Sequence, residues 1–155
     1  MGHEFFEESK DSYLKRRKSA TCAYRLDYHL VIATKFRRPL LKGEVARVLV
    51  EAVMECCERH GYKLLGLAVV PDHVHLLVSL RPTDRPCDAV GRIKGFSSYR
   101  IKGEFPQIEG KIWGAGYSLD TVGPASVPQI VAYLQRQQDH HVFPVSRKSR
   151  GKEGG

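Results

Sequence analysis

Apolar residues recur along the chain in two patterns, one typical of strands and one typical of helices. Four segments are rich in β-branched and aromatic residues and predict strands. Three segments carry apolar residues at helical spacing with charged residues between them and predict amphipathic helices. The predicted strands are 22–34, 62–70, 73–80 and 112–122, and the predicted helices are 42–60, 87–104 and 127–140.

Glycine and proline stand at the borders of several of these segments. Gly61 follows the first helix and suits a left-handed C-cap, and Phe105-Pro106 ends the second helix. Gly114 and Gly116 interrupt the fourth strand, which indicates a bulge or a close backbone approach.

The order β-α-β-β-α-β-α predicts an α+β fold, the ferredoxin-like split βαβ arrangement with one added C-terminal helix. Its sheet is antiparallel, and the first and third strands are central neighbours. The third strand would then lie in the middle of the sheet, with His29 of the first strand beside it. We interpret His29 as a structural residue and not as a ligand.

Length and charge bound the domain organisation and the class of partner. The 155 residues predict one domain over 22–141, with a flexible polar and basic arm at 1–21 and a disordered basic tail at 142–155. The net charge of +8 favours a polyanionic partner. None of the four cysteines belongs to a C-x-x-C pair, which argues against a zinc ribbon.

The sequence also bounds the compartment. It shows no signal peptide and no apolar run near the roughly 18 residues that a membrane span needs. We therefore expect a cytoplasmic protein with reduced thiols and no membrane partner.

Two histidines stand one residue apart in the third predicted strand, within Pro71-Asp72-His73-Val74-His75-Leu76. Residues i and i+2 of a strand point to the same face, so His73 and His75 project side by side, roughly 6–7 Å apart at their Cα atoms. Two such imidazoles can hold one divalent metal ion, but a closed structural site normally has four ligands. A metal site at this pair would therefore need a third ligand from another part of the chain. The alternative interpretation is two ordinary strand histidines that bind no metal.

The last predicted helix carries Tyr133 and Gln137 four residues apart, hence on one face. Gln137 can offer a neutral carbonyl oxygen as a third metal ligand. Tyr133 is then a candidate nucleophile, although an ordinary phenol pKa of about 10 leaves little phenolate at neutral pH. A metal ion could instead polarise the phosphodiester that is attacked. The alternative interpretation of Tyr133 is a half-buried packing aromatic.

A basic loop with one aromatic residue follows the first predicted strand: Lys35-Phe36-Arg37-Arg38-Pro39. This mixture suits a nucleic-acid backbone with a base stacked nearby. A plain exposed loop would have the same composition.

Taken in order, these motifs resemble the single-tyrosine (Y1) HUH transposases of small bacterial and archaeal insertion sequences, the TnpA type, in which U is an apolar residue. The resemblance runs from about Tyr24 to Gln138. It rests on Tyr28–Val31, Thr34–Pro39, Pro71–Val78, Lys94–Ser98, Ile112–Tyr117, Thr121–Gly123 and the pair Tyr133 and Gln137. Gln135-Arg136 depart from the acidic or amide residues that relatives often carry there, which leaves fine specificity open.

The resemblance implies a mechanism. Tyr133 would attack a single-stranded DNA phosphodiester, leaving a 5′-phosphotyrosine link and a free 3′-OH. His73, His75 and Gln137 would hold Mg²⁺ or Mn²⁺. Such proteins act as homodimers with composite active sites and recognise hairpins at the ends of the element, in the cytoplasm and on the nucleoid when bound to DNA. Lys35, Arg37 and Arg38 are the expected DNA contacts.

Three other functions remain compatible with the sequence. A domesticated relative could process hairpin repeats without being mobile. A ferredoxin-like nucleic-acid-binding module would need the basic residues but neither the histidines nor Tyr133. A metal-dependent hydrolase of small phosphates would need a water-activating base and would form no covalent adduct.

Overall fold

The computed structural model describes residues 16–136. Within this range the chain forms six strands and three α-helices. The strands are β1 (Arg17–Lys18), β2 (Ala23–Tyr24), β3 (Asp27–Ala33), β4 (Lys63–Val70), β5 (His73–Ser79) and β6 (Ser118–Val122). The helices are α1 (Gly43–His60), α2 (Pro86–Glu104) and α3 (Val127–Arg136). None of these helices combines the length and the apolar character that crossing a bilayer requires.

Strands β3 to β6 form one antiparallel sheet in the order β4-β5-β3-β6. The first and third strands of the ferredoxin-like unit, β3 and β5, are central neighbours, and Val31 pairs with His75. The predicted α+β fold class is confirmed.

The predicted helices agree closely with the structure. Gly61 caps α1 in the left-handed conformation (φ 72°), and its N–H bonds to carbonyl oxygens of the last turn. Glycine suits this position because it has no Cβ to clash there. Helix α2 ends at Phe105, as predicted.

Two predicted strands are wrong at their ends. Residues 22–26 do not join the main sheet; Ala23 and Tyr24 pair instead with Lys18 and Arg17 in a two-stranded sheet. Residues 112–117 form no regular strand, because Gly114 N–H bonds to Ala33 and the Lys94 ammonium holds the Gly114 carbonyl. Trp113 keeps a single bridge to Thr34.

The predicted division into arm, domain and tail stays a prediction. The predicted tail 142–155, the first fifteen residues of the predicted arm, and Gln137 lie outside the described residues.

The main sheet has two different faces. The face covered by α1 and α2, here called the helix face, buries Leu30 and Ile32 of β3 and Val74, Leu76 and Val78 of β5. The opposite face, here called the histidine face, carries His29, His73 and His75 and is packed by α3. The same strands supply both faces, because odd and even positions of β5 point in opposite directions.

Candidate active site

The histidine pair lies at the start of β5. His73 Nε2 and His75 Nε2 are 3.1 Å apart. Two imidazole nitrogens that share an ion at about 2.1 Å lie about 3.0 Å apart in a right-angled arrangement and about 3.4 Å apart in a tetrahedral one. The two rings therefore already fit a shared divalent cation.

The other nitrogen of each ring also has a partner. His73 Nδ1–H donates to Asp72 Oδ1 at 2.7 Å. His75 Nδ1 and His29 Nε2 are 3.1 Å apart, and their rings stack with an interplanar angle of 18°. Such outer partners fix the tautomer and the ring orientation of metal-binding histidines. With Asp72 accepting from Nδ1, neutral His73 presents the lone pair of Nε2.

His29 is placed to fix the tautomer and ring orientation of His75, as Asp72 does for His73. The Nε2 lone pair of His75 is free when its Nδ1–H donates to His29 Nε2. When His75 Nε2–H instead donates to His73, His29 Nε2–H must donate to His75 Nδ1. His29 thus acts on the pair through His75, which refines its interpretation as structural.

Burial and hydrogen bonding shift the pKa values of three groups in this cluster, His75, His29 and Asp72. Burial, together with the smaller effects of the neighbouring His73 and His29, lowers the pKa of His75 to about 4. Burial also lowers the pKa of His29. The hydrogen bond from His73 lowers the pKa of Asp72. At neutral pH His75 is therefore an uncharged imidazole, the form that metal ligation requires, and Asp72 is a carboxylate that accepts the His73 Nδ1–H bond.

Tyr133 of α3 lies against His75. Their ring centroids are 5.4 Å apart and the rings meet edge to face at 82°. Val127, Val131 and Leu134 anchor the helix on the histidine face, and Tyr133 remains 38% exposed. The structure thus brings the predicted nucleophile beside the predicted metal ligands, with its side chain still open to solvent.

The third predicted ligand, Gln137, stays a prediction. It follows α3 directly but lies outside the described residues. Between residues 16 and 136, no three His, Cys, Asp or Glu side chains are grouped so that they could hold a metal ion.

The predicted DNA contacts lie in a turn, here called the basic turn (residues 35–38). Arg37 Nη1 is 3.7 Å from Asp72 Oδ2. Because Asp72 directly precedes His73, this contact places the basic turn beside the histidine pair. The Arg38 guanidinium donates to the carbonyl oxygens of Lys35, Glu109 and Lys111, so it anchors the turn. Arg37 is exposed, whereas Lys35 and Arg38 are half-buried; all three DNA contacts stay predictions.

The basic turn has an unusual backbone. Phe36 (φ 59°) and Arg37 (φ 52°) both adopt the left-handed conformation. A non-glycine residue in this region costs on the order of 1–3 kcal/mol, and such residues cluster at functional sites. Sequence patterns do not report this conformation, since neither residue is one of those enriched there.

Asp72 is the functional residue that the sequence analysis missed. The sequence motif gives it no role of its own, yet its carboxylate contacts both His73 and Arg37. The signal was its position next to the first histidine.

Comparison with known proteins places the chain in a family. Residues 22–137 match the family described as "Transposase IS200 like". The ISDra2 transposase TnpA of Deinococcus radiodurans is 34% identical over 131 residues, which cover 81% of this chain and 94% of that protein. The transposase for insertion sequence element IS200 of Salmonella typhimurium is 30% identical over 115 residues, covering 71% and 75%.

Solved structures agree with the fold. A crystal structure of a transposase from Deinococcus radiodurans R1 superposes with a TM-score of 0.67 at 33% identity, covering 81% of this chain and 99% of that one. A REP-associated tyrosine transposase bound to a REP hairpin superposes with a TM-score of 0.57 at 16% identity, covering 76% and 70%.

Proposed function

The chain belongs to the IS200-like transposase family, and we propose that it cuts and rejoins single-stranded DNA with Tyr133 as the nucleophile. Family membership makes it an insertion-sequence transposase, an enzyme that cleaves DNA and transfers strands. The observation that carries the proposal is the edge-to-face contact of Tyr133 with His75, 5.4 Å between ring centroids. Tyr133 is also 38% exposed, so its side chain beside the paired imidazoles is partly open to solvent.

In the proposed step the phenolic oxygen of Tyr133 attacks the phosphorus of one phosphodiester. A bond forms between this oxygen and phosphorus, the bond from phosphorus to the 3′ oxygen breaks, and the phenolic proton leaves to solvent while the 3′ oxygen takes up a proton. The products are a 5′-phosphotyrosine link and a free 3′-OH. Because one phosphate diester replaces another, rejoining by attack of a 3′-OH needs no ATP.

The metal site is the second part of the proposal. Mg²⁺ or Mn²⁺ would be held by His73, His75 and the amide oxygen of Gln137, and would polarise the phosphodiester and offset its developing charge. The 3.1 Å separation of the two Nε2 atoms supports this assignment. Asp72 and His29 hold the two rings in the orientation that ligation needs.

The third part concerns assembly and DNA ends. We propose a homodimer with composite sites that recognises hairpins at the ends of the element. In the single chain, α3 packs on its own sheet through Val131 and Leu134. The same apolar contacts would form if two copies exchanged α3, because exchange of an identical element preserves every contact.

The chemistry is tested by incubating the protein with labelled single-stranded DNA from the flanks of its gene, with Mg²⁺ or with EDTA, and separating the products on a denaturing gel. We expect a metal-dependent protein–DNA adduct that disappears in Tyr133→Phe. Tyr117→Phe is the matched control, since Tyr117 is also exposed (47%). Cleavage that survives Tyr133→Phe would identify water as the nucleophile, and DNA binding without any adduct would favour a binding module.

The composite site is tested by mixing two inactive variants, Tyr133→Phe and His75→Ala. In a dimer with exchanged helices, one mixed site combines an intact histidine pair with an intact tyrosine, so adduct formation returns. If each α3 serves its own chain, no mixed site is complete and the mixture stays inactive.

A further inference from the structure

We propose that Phe36 and a neighbouring lysine-lined cleft form a binding track for single-stranded DNA, in which one base stacks on Phe36 and an adjacent phosphate enters the cleft. The inference rests on the proposed function, because it assumes that single-stranded DNA is the substrate. It adds a stacking residue and a phosphate site that the catalytic cluster does not contain.

Phe36 is the most exposed large apolar side chain in the described part of the chain. It is 85% exposed, whereas Tyr133 is 38% exposed. Its backbone is left-handed (φ 59°, ψ 20°), so the chain turns at Phe36 and does not extend the direction of β3. A bulky aromatic residue in this conformation is an outlier that the surrounding structure must hold in place.

Hydrogen bonds on both sides hold the basic turn. Before it, Thr34 N–H donates to the Asp72 carbonyl at 2.9 Å, and Thr34 Oγ1 donates to the Arg38 carbonyl at 2.8 Å. Within it, Lys35 N–H donates to the Ile112 carbonyl at 2.9 Å. Phe36 is thus displayed on a braced backbone, which limits the ordering cost of binding a base.

The cleft beside the turn is basic. It has a volume of about 330 Å³ and is lined by residues that include Lys35, Lys94, Lys111, Ser98 and Trp113, with no acidic residue among them. This volume is at the small end of ligand sites and has room for one phosphate with part of its sugar. The Lys94 ammonium already donates to the Gly114 carbonyl, so Lys35 and Lys111 supply the ammonium groups for an anion. With no carboxylate in the lining, the three positive charges favour an anion there.

Lys35 joins the two parts of the track. It lines the cleft, and its Nζ lies 5.2 Å from the centroid of the Phe36 ring. Arg37 joins the turn to Asp72, which in turn contacts His73. A strand bound along Phe36 and the cleft would therefore run next to the histidine pair. The charge of the surroundings also argues against a protein partner as the occupant of this exposed aromatic.

The track is tested by fluorescence anisotropy with the full-length protein and a labelled single-stranded oligonucleotide, in EDTA so that no cleavage occurs. We expect Phe36→Leu to weaken binding by about 5- to 150-fold, the range for the loss of one base–aromatic stack. The loss should be equal at all salt concentrations, because stacking releases no counterions. Tyr99→Leu, which removes another exposed aromatic (75%), is the matched control and should bind as the wild type does.

The phosphate site has a separate readout. Lys111→Gln should reduce the slope of log K against log salt concentration by about 0.7, the value for one phosphate contact with a single strand. Lys63→Gln makes the same charge change at the other end of the sheet, where Lys63 pairs with Ser79, and should leave the slope nearer to that of the wild type. Circular dichroism checks that each variant is folded.

Three results would overturn the track. Unchanged binding by Phe36→Leu, or an equal loss in Tyr99→Leu, would remove the stacking role while the adduct experiment could still support Tyr133 chemistry. An equal change of slope in Lys63→Gln would remove the phosphate site. A wild-type protein that does not bind single-stranded DNA at all would overturn both the track and the proposed function.

Discussion

On the helix face of the sheet, Leu30, Ile32 and Leu76 are at most 1% exposed and belong to one apolar cluster with residues of α1 and α2. On the histidine face, a few ångströms away through the same strands, three imidazoles and a carboxylate form a hydrogen-bonded chain under a short helix. The larger apolar cluster lies on the first face and a much smaller one, around Leu77 and Leu134, on the second.

This difference separates stability from chemistry within single strands. His75 and Leu76 are adjacent in β5, yet one belongs to the site and the other to the core. The helix face buries enough apolar surface to fix the sheet, so the histidine face can keep polar groups that contribute little to folding. A substitution at Leu76 should therefore lower stability and spare activity, whereas a substitution at His75 should abolish activity and lower stability less.

The largest effect on stability is expected from Leu76→Ala on the helix face. Removing a fully buried leucine side chain should lower the free energy of unfolding by about 2–5 kcal/mol, since the lost burial and the remaining cavity both count. Urea denaturation measures this value. Under conditions where the variant is still folded, metal-dependent adduct formation should continue.

His75→Ala provides the reverse case. It should abolish adduct formation and metal binding while lowering the unfolding free energy less than Leu76→Ala does. A larger loss of stability from His75→Ala than from Leu76→Ala would show that the two faces do not divide the roles in this way.

A pH effect of intermediate size should come from the histidine face. His75 has a pKa of about 4 in the folded chain against an ordinary value of 6.5, so the unfolded chain binds a proton that the folded chain refuses. Stability is therefore unaffected above pH 6.5 and falls between pH 6.5 and about 4, by about 3 kcal/mol in total. Urea denaturation of the metal-free protein across this window measures the loss.

The matched variants are His75→Asn and His60→Asn. His75→Asn should remove the larger part of the pH dependence between pH 6.5 and 4 and leave the part that His29 contributes, because burial also lowers the pKa of His29. His60→Asn, at the end of α1, should retain the full dependence. The lowered pKa of Asp72 acts in a different window, because its contribution is lost only as the pH falls below the ordinary carboxyl value of 3.8. A slope in His75→Asn that equals the wild-type slope would assign the effect to other groups.

The order of elements and the position of the histidine pair could be predicted because both depend on local periodicity. The helical spacing in α1 and the alternation in β5 are visible in ten to twenty consecutive residues. No local pattern relates α3 to β5. The family resemblance implies that Tyr133 and the histidine pair share a composite site between two copies, and the structure places Tyr133 against His75 of its own chain.

Features that depend on distant partners could not be predicted in the same way. Residues 112–117 look like a strand, but Gly114 bonds to Ala33 and Lys94 instead of continuing β6. The contact of His29 with His75 depends on the register that pairs Val31 with His75, which sequence periodicity does not fix. The left-handed Phe36 likewise depends on the hydrogen bonds that brace its turn.

The smallest of the expected effects concerns Asp72, the carboxylate that contacts His73 on the histidine face. Asp72→Asn keeps the shape of the side chain but removes the negative charge of the carboxylate whose Oδ1 accepts the His73 Nδ1–H bond at 2.7 Å. Loss of such an outer partner lowers metal affinity by about 10- to 100-fold. Isothermal titration of the protein with Mn²⁺ measures this change.

Asp88→Asn is the control for this last variant, because it removes the same charge from the exposed first turn of α2, where Asp88 lies 3.9 Å from Arg85. Its Mn²⁺ affinity should equal that of the wild type. If both variants weaken Mn²⁺ binding equally, the effect is one of net charge. If Asp72→Asn alone binds weakly while its unfolding free energy stays near the wild-type value, the carboxylate acts on the orientation of His73. The histidine face then owes its metal affinity to a residue that neither binds the ion nor holds the fold together.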